Sequence, residues 1–104
     1  MPDFLQVTTV TETRDQAVAL ADSAVSQRLA AHAQIVGPVI TVLGSGTGRE
    51  FQLLLTTRAD LYPSLEALLI GQHPWSNPEV CATAISAGSA DYLAWLDSEL
   101  LPAA

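Results

Sequence analysis

The alternation of strand-like and helix-like patterns along the chain constrains its fold more than any other sequence feature. Phe4–Thr11 is rich in β-branched residues and lacks a helical period, which favours a strand. Thr13 and Gln16 then stand at the spacing of a capping box, which predicts a helix over residues 14–31. The apolar residues on one face of that helix are Ala17, Leu20, Ala21, Ala24 and Val25.

A β-hairpin is predicted next. Ala33–Leu43 is strand-like, and Gly37-Pro38 inside it indicates an edge position or a bulge, because proline cannot donate to a sheet ladder. The glycine-rich segment Gly44–Gly48 predicts a flexible turn rather than a phosphate loop, since it lacks the GxxxxGK[ST] pattern. Arg49–Thr57 completes the hairpin, with one face formed by Phe51, Leu53 and Leu55.

A second helix and a fourth strand follow the hairpin. Asp60 can cap the helix, Pro63 is tolerated in its first turn, and Gly71 is a plausible stop. Glu79–Ile85 predicts the strand. The expected buried stripe of the helix is Leu61, Leu65, Leu68 and Leu69.

Ser89 can cap a third helix, which Pro102 ends. The full order is β-α-β-β-α-β followed by α, which is the split-βαβ, ferredoxin-like arrangement. We therefore expect an α+β fold in a single domain over residues 1–104, with helices on one face of a four-stranded antiparallel sheet. One face of the third helix would carry Tyr92, Trp95, Leu96, Glu99 and Leu100.

Such a sheet leaves its second face bare, and the composition fits a chain that covers it by self-association. The chain is 49% hydrophobic and only 14% charged, whereas about 25% charged residues is usual. A domain of 104 residues exposes much of its surface, so this balance predicts apolar surface buried between copies in a closed homo-oligomer.

The net charge of −7, with four cationic residues, excludes a basic patch for nucleic acid or an anionic membrane. No apolar run reaches the ~20 residues of a membrane span, and the N-terminus does not resemble a signal peptide. We therefore expect a cytoplasmic protein without nucleic-acid or membrane partners.

The stiffest candidate site is the loop from His73 to Glu79, whose two prolines restrict its backbone. His73, and His32 at the end of the first helix, are potential metal ligands or proton carriers. Glu79 or Cys81 could complete a mixed site. No HxH, HExxH or CxxC spacing is present, so a structural role for each histidine is the alternative.

Cys81 and the aromatic residues each have a plainer interpretation. Cys81 lies in an apolar strand and is predicted to be a buried, inert thiol. Trp75, Tyr92 and Trp95 could line a ligand cleft or act as core or interface anchors. A Ser-His-Asp triad cannot be recognised in the sequence, so no catalytic residues are assigned.

Three motifs together resemble the CutA family of divalent-cation-tolerance proteins. They are Gln27–Ala31 (QRLAA), His73–Glu79 (HPWSNPE) and Asp91–Leu96 (DYLAWL). The resemblance implies a ferredoxin-like fold and a tight homotrimer similar to the PII signalling proteins. It also implies a link to tolerance of divalent metals, notably copper, and clefts between subunits that fit a small ligand.

The chain departs from the family pattern at four places. His32 stands where the family often has Cys, and imidazole replaces thiolate better for Cu(II) than for Cu(I). Thr56-Thr57 stands where a Lys-Thr pair is usual, which removes a cation from the cleft. The hairpin that Gly44–Gly48 closes is shorter than the family's hairpin, and Trp75 stands where the family has a tyrosine.

The resemblance thus implies a possible metal set and a cleft between subunits. The metal set is His32, His73 and Glu79, and the cleft residues are Thr57, His73, Trp75, Glu79, Tyr92 and Trp95. Metal binding, with copper as the expected ion, is the first hypothesis. The alternatives are a PII-like sensor of a small anionic metabolite and a repurposed enzyme using His73 or Glu79 as acid or base.

Overall fold

The computed structural model describes residues 3–103, and within them it has the predicted α+β, ferredoxin-like architecture. The strands are β1 (Phe4–Thr11), β2 (His32–Leu43), β3 (Gly46–Arg58) and β4 (Cys81–Ile85). The described sheet is fully antiparallel, with strand order β2-β3-β1-β4. The α-helices are α1 (Arg14–Ser26), α2 (Tyr62–Gln72) and α3 (Ala90–Glu99), and a 3₁₀ turn spans Ala59–Leu61.

One face of the sheet, called the covered face below, packs against α1 and α2 and holds the main core. Antiparallel pairing places Val7 opposite Leu55 and Thr9 opposite Leu53, so their side chains point to the same side. Leu65 and Leu69 of α2 pack in the same cluster and are fully buried. Burying each such leucine stabilises the fold by about 1.5–3 kcal/mol.

The intervening strand residues form the opposite face, called the open face, which α1 and α2 do not cover. Its central row pairs Cys81 with Thr8, Thr8 with Leu54, and Leu54 with Gln34. Cys81 is exposed there, so the prediction of a buried thiol was wrong. The strand pattern could not reveal this, because burial in β4 depends on whether anything lies over its open side.

Local capping signals were mostly correct, with two exceptions. The Thr13–Gln16 capping box opens α1, and the Ser89 hydroxyl accepts from the backbone N–H of Tyr92 to cap α3. Asp60 does not cap α2, however, because it lies in the 3₁₀ turn and binds Arg58 instead. The helix also runs through Gly71 to Gln72.

The first helix ends five residues earlier than predicted, at Ser26. The backbone N–H of Leu29 donates to Ala24 and that of Arg28 to Val25, which is the Schellman pattern of a helix end. Arg28 occupies the left-handed position with φ 58°, where glycine is usual. Val25, expected on the buried face, is exposed near this end.

The end of the β2–β3 hairpin, residues 37–50, is called the hairpin arm. The register shifts between Val36 and Val39, and β2 lies at a sheet edge, which confirms both expectations for Gly37-Pro38. A Cβ on Gly37 would come within 2.8 Å of Phe51 Cδ1, so the irregularity requires glycine. The turn itself is shorter than predicted, because β3 already begins at Gly46.

The hairpin arm carries the most exposed aliphatic side chains of the described chain. Ile40, Val42 and Leu43 are 64%, 75% and 62% exposed.

The molecule measures 43 × 25 × 19 Å. Within residues 3–103, none of the helices combines the length and apolar character of a membrane span.

Candidate functional site

His73 is held inside the loop by both of its ring nitrogens. Its Nε2 lies 2.7 Å from the carbonyl oxygen of Val10, which can only accept, so Nε2 carries the proton. Its Nδ1 accepts from the backbone N–H of Trp75 at 3.0 Å. The ring is buried in this arrangement. Neither nitrogen has a free lone pair, so the geometry opposes the prediction that His73 is a metal ligand and favours its structural alternative.

The rest of the loop places one aromatic and one acidic side chain near the surface. Trp75 is half-buried, with its ring 5.0 Å from that of His73, and Glu79 is exposed. A shallow groove of about 210 Å³ lies beside Pro74, between α1 and the end of α2. Its lining is Gln16, Ala19, Leu20, Ser23, Gln72 and Pro74, so it contains none of the predicted site residues.

The structure does bring three of the predicted residues together, namely His32, Tyr92 and Trp95. These three are called the aromatic cluster. The Nε2 of His32 lies 3.0 Å from the Tyr92 hydroxyl. The imidazole stacks on Trp95 with centroids 5.9 Å apart and an interplanar angle of 28°, and Tyr92 stacks on Trp95 at 6.1 Å and 25°. Tyr92 and Trp95 are 41% and 43% exposed, so the cluster is accessible in a single chain.

Two elements that are distant in sequence build this cluster. His32 is the first residue of β2 and pairs with Thr56 on the open face, rather than lying at a helix end as predicted. Tyr92 and Trp95 come from α3, which packs through Leu96 and Leu100 against Phe4.

Within the described chain, Thr57 lies apart from the aromatic cluster. Its side chain is fully buried, and its hydroxyl donates to the Leu29 carbonyl at 2.6 Å. It pairs with Leu5 and points in the direction opposite to Thr56, because side chains alternate along a strand. This geometry opposes a cleft role for Thr57, and the alternation along β3 places it on the same face as Leu53 and Leu55.

One arginine to which the sequence pattern assigned no role attaches α3 to the body. Arg58, buried at the end of β3, contacts Asp60 and also binds Asp97 of α3 at 2.8 Å. Its hydrogen bonds hold the pKa of Asp60 below the usual range. The only signal in the sequence for this role was the scarcity of cations, of which the chain has four.

No group of three or more His, Cys, Asp and Glu residues close enough to hold a metal ion occurs among residues 3–103. A single described chain therefore does not bring His32, His73 and Glu79 into one ligand set. His32 keeps an imidazole at the surface, and Glu79 keeps an exposed carboxylate on a separate loop.

Comparison with known proteins identifies a consistent set of relatives. A family model described as CutA1 divalent ion tolerance protein matches residues 5–99. The divalent-cation tolerance protein CutA of Thermus thermophilus is 34% identical over 82 residues, covering 74% of this chain and 79% of that relative. Its counterpart from Escherichia coli is 32% identical over 93 residues, covering 83% and 82%. The crystal structure of CutA1 from Oryza sativa matches with a TM-score of 0.92 at 28% identity, covering 98% of this chain and 97% of that one.

Proposed function

Because the chain belongs to the family of CutA1 divalent ion tolerance proteins, we propose that it binds a divalent cation, copper(II), between the subunits of a homotrimer. The aromatic cluster is the proposed centre of this site. The observation that carries the proposal is the position of His32, an accessible imidazole beside Tyr92 and Trp95. Imidazole is a good ligand for Cu(II).

His32 contributes the nitrogen ligand in this proposal. Its Nε2 faces the Tyr92 hydroxyl, while Nδ1 makes no hydrogen bond within the described part of the chain. A metal at Nδ1 would leave the other nitrogen bonded to Tyr92, and such a bond typically fixes the orientation of a ligating histidine.

Glu79 and the loop around it supply the second contribution. The carboxylate is exposed, and His73 holds its loop by the bonds to Val10 and Trp75. In our proposal, Glu79 of one copy approaches His32 of another, so the ligand set is completed between chains. His73 orients this loop and Trp75 gives the cleft an apolar wall.

The exposed aliphatic side chains of the hairpin arm support this arrangement. Exposed aliphatic residues on a long edge hairpin are typical of a surface that another chain covers. The open face of the sheet is the second surface available to a partner copy. A closed ring of identical subunits would cover both without leaving a growing end.

The test is a Cu(II) titration followed by calorimetry and by the nitrogen splitting of the electron paramagnetic resonance spectrum. We expect saturable binding by the wild type and a loss of at least ~10-fold in affinity for His32→Ala, on the scale of lost ligand interactions. Glu79→Ala should weaken binding as well. Lys is absent from the chain, so amine ligands from side chains do not complicate the spectrum.

His73→Phe is the matched control, because it removes the other histidine. It should lower stability through the lost bonds to Val10 and Trp75, and its Cu(II) complex should keep the nitrogen splitting of the wild type. If His32→Ala bound copper as tightly as the wild type, the proposed site would be wrong.

Native mass spectrometry tests the assembly and the competing functions together. A trimer with a stoichiometric copper mass supports the proposal, and a monomer at working concentrations contradicts a site between subunits. An organic mass that co-purifies with the trimer, in place of copper, would favour the metabolite-sensor alternative.

A further inference from the structure

We propose that Arg58 is a positioning residue for the candidate site, which it keeps assembled by locking α3 onto the end of β3. The inference rests on the proposed function in that it concerns the same aromatic cluster. The inference itself, however, concerns how firmly α3 is attached to the sheet, and this can be measured in the metal-free protein.

The apolar packing under α3 is small. Among the described residues, its cluster contains four buried side chains, whereas the main core beneath α1 and α2 contains ten. Leu96 is the only residue within α3 itself that is buried. Because apolar burial scales with area, this helix gains less from packing than α1 or α2 does. Polar contacts must therefore contribute a larger share of its attachment.

Arg58 supplies those contacts from a buried position, with a side chain only 4% exposed. Its Nη1 donates to Asp97 Oδ1 at 2.8 Å and its Nη2 donates to the Leu101 carbonyl at 2.6 Å. Asp60 holds the other edge of the guanidinium through Nε and Nη2. The planar guanidinium is thus fixed by one carboxylate on the body and presents its remaining donors to α3 and the residues after it.

Arg28 attaches the same helix end from the other side. Its guanidinium donates to the carbonyl oxygens of Ser98, Glu99 and Leu100, which the end of α3 leaves without partners. Its own carbonyl accepts from the backbone N–H of Leu101 at 3.0 Å. This arginine sits at φ 58°, a conformation that costs a non-glycine residue about 1–2 kcal/mol. Its side-chain bonds to α3 offset that cost, which explains why the position is not glycine.

The two arginines therefore determine where the ring of Tyr92 lies. Asp97 is less than two turns from Tyr92 and Trp95 on the same helix. If the helix end moves, the hydroxyl of Tyr92 leaves the Nε2 of His32 and the Trp95 ring leaves the imidazole. Arg58 acts through α3 and contacts none of the three rings by hydrogen bond, so it positions the site rather than forming it.

The test uses Trp95 as a reporter in the metal-free protein. The chain has two tryptophans, so Trp75→Phe leaves Trp95 as the only source of indole signal. In this background we compare near-ultraviolet circular dichroism, which reports the stacking of Trp95, and hydrogen exchange of the α3 amides. Arg58→Gln should remove most of the indole band and speed exchange of α3 by about 10-fold or more, since bonds to charged groups are lost. Exchange in α1 and α2 should be unchanged.

Two further variants separate attachment from general stability. Asp97→Asn removes one charged partner and leaves the Arg58–Asp60 pair in place, so it remains informative if Arg58→Gln fails to fold. Glu99→Gln makes the same charge change on the same helix, where the carboxylate has no ion pair within the described chain, and should behave as the wild type. Arg58→Lys keeps the charge and should restore part of the signal.

The proposal is supported if Asp97→Asn loosens α3 and Glu99→Gln does not. It is overturned if Arg58→Gln and Asp97→Asn both retain the wild-type indole band and the wild-type α3 exchange. Copper is added only afterwards. A wild type that binds no copper would end the proposed function and leave this result intact, whereas a firmly attached α3 in both Arg58→Gln and Asp97→Asn would end this inference and leave copper binding to be judged separately.

Discussion

The two faces of the sheet are built from alternate residues of the same strands, yet they are completed differently. On the covered face, Val7, Leu53 and Leu55 are fully buried by helices of the same chain. On the open face, Cys81 and Gln6 are exposed, and Leu54 is only half-buried. The difference shows that one chain finishes the core of the covered face, whereas on the open face α3 packs only around Phe4 and much of the remaining surface stays exposed, as does the hairpin arm.

Truncation of neighbouring leucines in β3 should show the largest contrast between the faces. Leu53→Ala opens a cavity in the covered face and should lower the free energy of unfolding by about 2–5 kcal/mol. Leu54→Ala is the matched control, one residue away on the open face, and should cost about 1 kcal/mol or less because that side chain is already partly hydrated. Urea unfolding at low protein concentration measures both.

A large loss of unfolding free energy in Leu54→Ala would contradict the expected difference between the two faces, and its dependence on protein concentration would show why. If the cost of Leu54→Ala grew with protein concentration, the open face would be covered by another copy in solution. If it were equally large at every concentration, the assignment of Leu54 to a half-hydrated face would be wrong.

A pair of neighbouring threonines in β1 tests the same contrast with a smaller effect. The Thr9 hydroxyl is fully buried on the covered face and has no hydrogen-bond partner among the described residues. Thr9→Val has nearly the same shape and removes that unsatisfied group, so it should raise stability by about 1 kcal/mol. Thr8→Val changes the half-buried neighbour on the open face and should give a smaller gain. A loss of stability in Thr9→Val would mean that its hydroxyl does have a partner in solution.

The sequence predicted what depends on local chemistry. The Thr13–Gln16 capping box, the Ser89 cap and the irregularity at Gly37-Pro38 were all confirmed, because each depends on residues within a few positions. Together with the order of periodicities, these signals were sufficient for the architecture of the sheet.

The sequence was insufficient where a distant partner decides the role of a residue. His73 bonds to Val10, which is 63 residues away, so neither the occupied nitrogens nor their tautomer could be read from the loop. Asp60 binds Arg58 instead of capping a helix, and Arg58 also reaches Asp97, which is 39 positions along the chain. Thr57 donates to the carbonyl oxygen of Leu29, which is 28 positions away, and nothing near Thr57 in the sequence indicates that bond. Of the predicted cleft, the structure brings together Tyr92, Trp95 and the proposed ligand His32.

A comparison of the two tyrosines tests the contrast with the smallest expected effect, because the titration of a buried tyrosine lies above ordinary working pH. Tyr62 packs against the main core and donates to Glu66 at 2.8 Å, whereas Tyr92 belongs to the exposed aromatic cluster. Burial raises the pKa of Tyr62 to about 12, with further contributions from Glu66 and the charge of Cys81. In Tyr92→Phe, which leaves Tyr62 as the only tyrosine, the ultraviolet band of tyrosinate should therefore appear near pH 12.

The sign of the stability change follows from that raised pKa. The folded chain favours the protonated phenol, so its contribution is fully present below the usual tyrosine pKa of about 10 and is lost as the pH rises towards 12. Urea midpoints of Tyr92→Phe should fall over this range, and adding Tyr62→Phe should remove that part of the fall. Glu66→Gln should lower the pKa of Tyr62 only in part, because burial is the larger cause. If Tyr62 instead titrated at the usual value, the phenol would be hydrated, and the covered side of the molecule would be less tightly closed at α2 than its buried leucines indicate.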